Sequence, residues 1–404
     1  MKSFLRAGWA FVLLTLLLAT PQPAGAQGTF EVSDVQVVYN FGEQITFQAR
    51  IQSPAVISQA SILFRAETEP VTRVEPLTLA PDGSVSFQYN ATQNLLPPFS
   101  RVIFWFQVML ANGETATSPV YNFRYADNRF EWRQSTQGSV SVHWYRGDDA
   151  FGQTALDAAN AGLENISQWI PVNLDAPLDI YIYADPAALQ GTLYLGGSDW
   201  MGGHANPELG VAMVAVAPGL SQGLEMDAEI PHELAHVMLY RSVGEGYSRI
   251  PTWLNEGLAS LAERYPNPDY QTTLDHAVEK DALLSFTDLC DTFPSDAGRA
   301  YLAYAQSESF VRYLRETYSA TGLSALVKAY ADGMDCELGA TRALGMPLSQ
   351  LDARWREAEL GQNAVGAALR DLAPYLLVLG MALAIPLWGV AKMLRERRQD
   401  EPDE

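Results

Sequence analysis

The sequence predicts an α+β protein in which a domain of β-strands precedes a largely helical domain. Two observations predict it: segments with alternating apolar and polar residues fill about residues 28–127, and helical periodicities dominate from about residue 222. A third concerns size. About 345 residues lie between two apolar terminal segments, more than one hydrophobic core usually serves. The 404-residue chain is therefore expected to form two domains.

The first domain, residues 28–127, is predicted to be a β-sandwich. Apolar residues alternate with polar ones in six segments that turn signals such as Pro81-Asp82-Gly83 separate. These segments are Val35–Tyr39, Ile45–Ala49, Ala60–Arg65, Ser84–Tyr89, Arg101–Leu110 and Val120–Tyr125. About seven short strands in about a hundred residues are typical of an immunoglobulin- or fibronectin-like sandwich. We find no residues in it that suggest chemistry.

The second domain, residues 128–361, is predicted to begin with strands and to continue with helices. Strands are expected at Phe130–Arg133, Ser139–Tyr145 and Leu178–Tyr183, and a glycine-rich stretch follows at Gly191–Gly203. Helices are expected at Asp149–Trp169, Gln222–Tyr240, Pro251–Tyr265, Asp269–Lys280, Arg299–Tyr318, Gly322–Asp332 and Pro347–Glu359. Strands first and helices after are typical of an α+β domain.

The N-terminus has the layout of a secretory signal peptide, residues 1–26. Lys2 and Arg6 provide the positive start, an apolar run follows at Trp9–Ala19, and Ala24-Gly25-Ala26 is a small-residue cleavage site. The apolar run is too short to favour a membrane crossing, which needs about 20 residues. We expect cleavage before Gln27.

The C-terminal end predicts a membrane anchor. Residues 362–371 are a short tether, and residues 372–391 form an uncharged apolar stretch long enough to cross a hydrocarbon core of about 30 Å. Basic residues then begin the tail, residues 392–404, and the positive-inside bias places this tail in the cytoplasm. We therefore expect a single-pass type I protein of the cell membrane with its domains extracellular or periplasmic.

Charge and cysteine content narrow the partners and the compartment. The formal net charge of −21 is spread along the chain, which argues against nucleic acid or anionic lipid as a partner. The two cysteines, Cys290 and Cys336, could form a disulfide in an oxidising compartment or remain two buried thiols. Neither has the spacing of a zinc knuckle. The oligomeric state is open.

The most informative motif is His232-Glu233-Leu234-Ala235-His236, an H-E-x-x-H sequence. On a helix the two histidines, four residues apart, project from one face and can bind a single Zn²⁺. Glu233 lies beside them, where a carboxylate can take a proton from a water on the metal. Pro231 directly before the motif indicates that the helix starts or bends there.

A second cluster, Trp253-Leu254-Asn255-Glu256-Gly257, supplies the third zinc ligand. The interval from His236 to Glu256 lets the first helix end near Gly244–Gly246 and a second helix run back past the metal. Three protein ligands leave the fourth position open, as a catalytic zinc site requires. Surface histidines without a metal are the alternative interpretation.

These two clusters resemble those of the gluzincin metallopeptidases. H-E-L-A-H followed by W-L-N-E-G-L-A is similar to the corresponding segments of aminopeptidase N-like enzymes, and the interval is similar to that of thermolysin. The resemblance implies a peptidase MA-like domain, His232, His236 and Glu256 as zinc ligands, and Glu233 as the general base. It is specific over about residues 225–265 and absent from the β domain.

One departure from the aminopeptidases bears on specificity. Their G-x-M-E-N strand carries an acid that holds the substrate's α-amine, whereas Gly210–Ala215 has none. This run could still be an edge strand that pairs with an extended peptide. The missing acid favours an endopeptidase.

The residue that stabilises the oxyanion is predicted to be a tyrosine or histidine from a later helix, as the resemblance implies. We prefer Tyr304; Tyr301 and His276 are the alternatives, and each could instead be a structural residue. Further assignments rest on less: Asn255, Ser260 and Glu263 could orient the ligand histidines, His204 is expected in a turn, and His143 is expected to be structural. Asn90 and Asn165 begin glycosylation sequons, which matter only in a host that glycosylates.

The predicted function is hydrolysis of peptide bonds in a peptide or protein substrate outside the cytoplasmic membrane. A catalytically weak or inactive binding or scaffolding protein on the same fold is one alternative. An aminopeptidase is another, with Asp199 or Glu208 as the amine anchor.

Overall fold

The computed structural model describes residues 30–193 and 203–362 and, farther on, residues 372–373, 375–384, 386 and 388–389. The expected signal peptide and cytoplasmic tail, most of the tether, and Asp199 lie outside these residues, and the expected span lies partly outside them. Within the described residues, no helix combines the length and the apolar character that a membrane crossing needs.

The chain divides into two compact units. The first comprises the described residues up to Leu96 together with Arg101–Arg124, and the second comprises Pro97–Ser100 and the described residues from Tyr125 onward. An N-terminal β-sheet unit is thus followed by a largely helical one, so the α+β class is confirmed.

The first unit contains eight strands in two antiparallel sheets. The strands are β1 (Glu31–Asn40), β2 (Gln44–Gln52), β3 (Ile57–Ala66), β4 (Arg73–Leu77), β5 (Ser84–Asn90), β6 (Arg101–Leu110), β7 (Thr115–Thr117) and β8 (Tyr121–Arg124). One sheet has the order β1-β2-β5, and the other has the order β4-β3-β6-β7 with β8 also paired to β6. All six strands expected from the alternating pattern are present.

Aromatic rings fill the core of this unit. Phe47 of β2 lies 5.2 Å from Phe64 of β3 and 5.1 Å from Phe104 of β6, measured between ring centroids, and all three are buried. Phe104 is thus a core residue, and the contacts join the two sheets. The immunoglobulin- or fibronectin-like topology stays a prediction.

The second unit combines one sheet with eight helices in its described residues up to 362. Its strands are β9 (Arg133–Gln137), β10 (Val140–Trp144), β11 (Leu178–Tyr183), β12 (Gly203–Asn206) and β13 (Val211–Ala215). Its helices are α1 (Asp149–Ile166), α2 (Pro186–Leu193), α3 (Gln222–Val243), α4 (Thr252–Ala262), α5 (Pro268–Glu279), α6 (Ala297–Ala331), α7 (Cys336–Leu344) and α8 (Leu348–Leu360), and a 3₁₀ helix spans Gly244–Arg249.

The sheet order corrects one expectation about the substrate edge. The order is β12-β13-β11-β10-β9, with β13, β11 and β10 parallel and the two outer strands antiparallel. Gly210–Ala215 was expected as an edge strand, but β13 is covered by β12, which pairs His204 with Met213. Within the described residues the edge is therefore formed by β12, and β13, whose residues Val211–Val214 are buried, lies one strand inside.

Two features of this unit differ from the expectations. Residues Phe130–Glu131–Trp132 form no strand, because Phe130 and Trp132 pack as aromatic neighbours of Tyr145 instead of entering the sheet. The short helices α2 and α7 were not predicted. The two helices expected at Arg299–Tyr318 and Gly322–Asp332 are confirmed, because α6 is broken between them at Ser319, whose φ of 64° is not helical.

Pro231 lies inside α3 and does not start it. The helix begins two turns earlier, at Gln222, and a Cβ placed on Gly162 of α1 would come within 2.8 Å of the Pro231 ring. The proline therefore packs against the bare backbone of α1, where no side chain blocks it. This contact holds α3, the helix of the H-E-x-x-H motif, against α1.

Cys290 and Cys336 form a disulfide, with Cα atoms 6.5 Å apart. The segment ending at Cys290 also supports α4, because the Leu289 and Cys290 carbonyls accept hydrogen bonds from the Trp253 and Thr252 amides. The bridge thus joins the start of α4 to α7.

Candidate metal centre

The centre is built on α3, which carries both motif histidines. His232 and His236 lie four residues apart and face the same side of the helix. The apolar residues around them, Leu234, Val237 and Met238, are buried, which fixes the rotation of the helix. Both imidazoles therefore open into one cleft.

The carboxylate of Glu256 meets these two rings from α4. Its Oε2 lies 3.4 Å from His232 Nε2 and 3.8 Å from His236 Nε2. Ligand atoms about 2.0–2.2 Å from a tetrahedral zinc lie roughly 3.3–3.6 Å from one another. The three residues predicted as ligands are thus brought together, and this donor set could hold a metal ion.

The other nitrogen of each ring is held by a polar neighbour. His232 Nδ1 lies 3.1 Å from Glu263 Oε1, and His236 Nδ1 lies 3.0 Å from Asn255 Oδ1. Each Nδ1–H donates to an oxygen, so each Nε2 is left to face Glu256. Asn255 and Glu263 are therefore orienting residues, as the sequence suggested, whereas the buried Ser260 hydroxyl makes no hydrogen bond to either ring.

Charges and burial set the protonation of the three residues. Burial alone would lower the pKa of His232, but its hydrogen bonds with Glu256 and Glu263 raise that pKa well above the usual range. Burial lowers the pKa of His236. Burial opposes ionisation of Glu256, yet the nearby His236 and His232 lower its pKa overall, so the carboxylate form is favoured.

Glu233 projects into the same cleft without joining the three residues. It is 5% exposed, and burial raises its pKa to about 8. Gly203 of β12, which has no side chain, lies against Glu233, and a Cβ on this glycine would come within 2.8 Å of Glu233 Cγ. The glycine thus gives the Glu233 side chain its space.

Tyr304 of α6 reaches the centre from the opposite side. Its ring centroid is 6.5 Å from that of His232, and its hydroxyl is hydrogen-bonded to Glu256, which helps to lower the carboxylate's pKa. Burial raises the pKa of Tyr304, so the hydroxyl keeps its proton at neutral pH. It can donate that proton to an oxygen.

These groups line one cleft of about 450 Å³. Its lining comes from β12, α3, α4, α5, α6 and the 3₁₀ helix. A second cavity, of about 520 Å³, is lined by other residues, none of them a histidine.

The remaining candidates are distributed as follows. Tyr301 lies at the cleft rim, 37% exposed, with its hydroxyl 3.4 Å from Asn267 Oδ1. His276 is exposed on α5 and does not line the cleft, so it is not an oxyanion group. His204 lines the cleft from β12, so the expectation of a turn was wrong. His143 is structural: it bonds Asp179 at 2.8 Å.

Sequence reasoning missed three residues of the centre. Tyr247, in the 3₁₀ helix, accepts a hydrogen bond from Asn255 Nδ2 at 3.0 Å and lies 3.3 Å from His236 Nδ1. Gly203 was seen only as part of a glycine-rich stretch. Glu229 lines the cleft one helical turn before His232, and its i−3 spacing was the available signal.

Comparison with solved structures finds small, divergent likenesses. "Myokine structure" is 12% identical over 24% of this chain and 95% of that chain, with a TM-score of 0.20. Wild-type OgpA from Akkermansia muciniphila is 17% identical over 25% of this chain, with a TM-score of 0.20, and the chain covers 30% of its length. Such low TM-scores support no inference about fold or function. No curated protein matches the chain.

A family model gives the assignment. The model Peptidase_MA_2, described as Peptidase MA superfamily, matches residues 158–360, which are half of the chain. The match runs from α1 to the end of α8 and so includes the H-E-x-x-H helix, Glu256 and Tyr304. The chain belongs to the Peptidase MA superfamily, and its second unit has a peptidase-like fold.

Proposed function

We propose that the chain is a zinc-dependent peptidase, with internal cleavage of peptides favoured. One observation carries the proposal: two imidazole Nε2 atoms and one carboxylate oxygen converge, while Glu233 lies in the same cleft without belonging to that set. Three ligands and one open position are typical of a catalytic zinc site. A structural site would be closed by a fourth ligand.

His232, His236 and Glu256 would hold the metal. When bound, zinc supplies a Lewis acid that polarises the substrate carbonyl and makes a water molecule acidic enough to be deprotonated near neutral pH. The chain's own groups orient this ion, because Glu263 and Asn255 fix the two imidazole rings.

Glu233 is the proposed general base. Its carboxylate takes a proton from the attacking water and passes it to the amine of the leaving peptide. Burial raises the pKa of Glu233 to about 8, which makes this carboxylate a stronger base than an ordinary glutamate.

Tyr304 is the proposed oxyanion donor. Its protonated hydroxyl already bonds Glu256, and so it stands beside the position where the substrate carbonyl would bind. As negative charge develops on the carbonyl oxygen, a hydroxyl donor there stabilises the transition state more than the ground state.

The edge strand β12 is the proposed docking site for the peptide backbone. It pairs with β13 on one side, and no strand in the described part of the chain pairs with its other side. An extended peptide can add to such an edge by main-chain hydrogen bonds. A peptide that runs along β12 passes Gly203 and therefore Glu233.

Neither alternative function, an aminopeptidase or an inactive scaffold, has a specific observation in its favour. An aminopeptidase needs a carboxylate facing the substrate's amine, and Glu208 is exposed and does not line the cleft. An inactive scaffold would be expected to lack a catalytic group, yet all four motif residues are present. We favour an endopeptidase for these reasons.

We also propose a membrane-anchored protein with its peptidase outside the cytoplasm. The support is the basic tail after the apolar stretch and the exposed apolar side chains along its described part, such as Leu377 at 64% and Val378 at 62%. The disulfide agrees with an oxidising compartment.

The test is Glu233→Gln in the purified full-length chain. Turnover of a mixed peptide library should fall by about 10²–10⁴-fold, because general-base catalysis contributes that much, while bound zinc stays equimolar. Peptide cleavage is read by mass spectrometry with and without chelator, and zinc by elemental analysis. Full turnover in this variant, or chelator-insensitive cleavage by the wild type, would contradict the mechanism.

A further inference from the structure

The cleft carries more negative charge than its catalysis needs. Four glutamates line it and no lysine or arginine does. Three of the four have roles: Glu233 as the base, Glu256 as a ligand, and Glu263 as the partner of His232. Glu229 has none.

Glu229 lies on the working face of α3. It precedes His232 by three residues and Glu233 by four, so all three side chains leave the same side of the helix. Three residues rise about 4.5 Å along an α-helix, close to the length of one extended peptide residue, about 3.3 Å. Glu229 thus lies about one peptide residue's length from His232 along the cleft.

In the described part of the chain, no lysine or arginine forms an ion pair with Glu229, and its carboxylate accepts no hydrogen bond. Burial raises its pKa, and although His232 opposes this, Glu263 and Glu225 add to it. A half-buried carboxylate without a cation is unfavourable, and a positively charged ligand would relieve it.

Aromatic rings form the walls around Glu229. Tyr270 and Tyr301 line the same cleft and meet edge to face, with centroids 5.3 Å apart. Burial raises the pKa of Tyr270, and this side chain is close enough to Glu229 for the charge of that carboxylate to raise the pKa further. Rings of this kind pack against the methylene chain of a long side chain and attract its charged end. Asn267, which receives the Tyr301 hydroxyl, adds a polar group at the rim.

We propose that Glu229 is a specificity-determining residue that selects peptides with lysine or arginine beside the scissile bond. The carboxylate of Glu229 binds the ammonium or guanidinium group, and Tyr270 and Tyr301 enclose the alkyl chain. This inference rests on the proposed peptidase function. It names the substrate class for that same cleft.

The first experiment measures selectivity of the purified full-length, zinc-loaded chain. Matched quenched peptides carry lysine, norleucine or glutamate at each position flanking the scissile bond, and norleucine keeps the lysine methylenes without the charge. We expect lysine to exceed norleucine in kcat/KM by about 10–100-fold at one position, the range for a charged hydrogen bond. Equal rates for lysine and norleucine at every position would overturn the inference while leaving the peptidase function intact.

The second experiment uses Glu229→Gln and a matched control. Glu229→Gln should reduce the ratio of kcat/KM for lysine over norleucine peptides to about one. Glu225→Gln removes the same charge one turn earlier on α3, outside the cleft lining, and should change the preference by less than about twofold. A preference that survives in Glu229→Gln, or that Glu225→Gln removes equally, contradicts a local subsite.

A charge-reversal variant distinguishes a change of specificity from a loss of folding. Glu229→Lys should make glutamate the favoured residue at the same position, a gain that misfolding cannot produce.

A third experiment compares N-acetylated peptides with peptides that have a free α-amine. If acetylation abolishes the lysine preference, the carboxylate holds a chain terminus and the inference fails. If no peptide is cleaved by zinc-loaded wild type, the proposed function itself fails.

Discussion

At the scale of single residues, the centre depends on which atom of each side chain faces the cleft. A histidine can bind a metal through either ring nitrogen, and the partner of the other nitrogen decides which. Asn255 and Glu263 make that choice for His236 and His232, and Tyr247 in turn holds Asn255. Glu256 and Asn255 are adjacent in sequence, so one turn of α4 supplies both a ligand and an orienting group.

A comparison of variants at Tyr304 and Tyr301 distinguishes loss of oxyanion stabilisation from a general disturbance of the cleft. Tyr304→Phe should lower kcat by about 10²–10³-fold with little change in KM, because it removes a donor that acts mainly in the transition state. Tyr301→Phe removes a hydroxyl at the rim and should leave kcat for norleucine peptides within about threefold of wild type. Steady-state kinetics of both variants on one peptide tests this prediction. If kcat falls equally in both variants, Tyr304 is not the oxyanion donor.

At the scale of elements, the centre lies where α3, α4, α6 and β12 meet. The motif helices could be predicted from sequence because their signals are local: H-E-x-x-H periodicity, a glycine at the end of α3, and the W-L-N-E-G cluster. The end of α3 at Gly244, with φ 58°, agrees with the expectation. The fold around each motif helix is thus contained in short windows of sequence.

The elements that sequence reasoning misplaced depend on distant contacts. The four residues of β12 have no alternating apolar pattern, and only pairing with β13 makes them a strand. Tyr247 was missed because a 3₁₀ helix returns it to His236, and no local pattern predicts that return. Glu229 is different, since helical spacing alone places it beside His232.

The contact between β12 and α3 gives a prediction about Gly203. Gly203→Ala should lower kcat/KM by at least about tenfold, because the new methyl group would occupy the space of the Glu233 side chain. Gly219→Ala is a suitable control, since a Cβ there meets nothing within 4 Å. Zinc content and circular dichroism should be unchanged in both. Wild-type kinetics in Gly203→Ala would show that Glu233 has room to move.

At the scale of the whole molecule, the two units of the chain differ in the residues that they contain and in their part in the candidate site. The first has an aromatic core and supplies no residue to the cleft, whereas the second holds the ligands, the base and the disulfide. The family match likewise covers only residues of the second unit. The sequence predicts a change from alternation to other patterns near residue 128, and the boundary at that residue stays a prediction.

The disulfide gives a prediction about global stability. Replacing Cys290 and Cys336 together by serine should lower the free energy of unfolding by about 2–5 kcal/mol, since the bridge closes a loop with a sequence separation of 46. The Tm, measured by calorimetry on wild type, the double variant and the chemically reduced wild type, should fall in both altered forms. An unchanged Tm after reduction would show that the bridge adds nothing to stability.

The last consequence concerns carbohydrate. The side-chain amide of Asn165 donates to the Leu261 and Ala262 carbonyls, which end the helix that carries Glu256. A glycan on that nitrogen would replace one of its two hydrogens, so at least one of these two bonds would be lost and the sugar would have to fit between α1 and α4. Asn90 instead uses only its side-chain oxygen, toward Thr92, in an exposed turn. In a host that adds N-linked sugar, we therefore expect the first sequon to accept a glycan with less disturbance of the fold than the second.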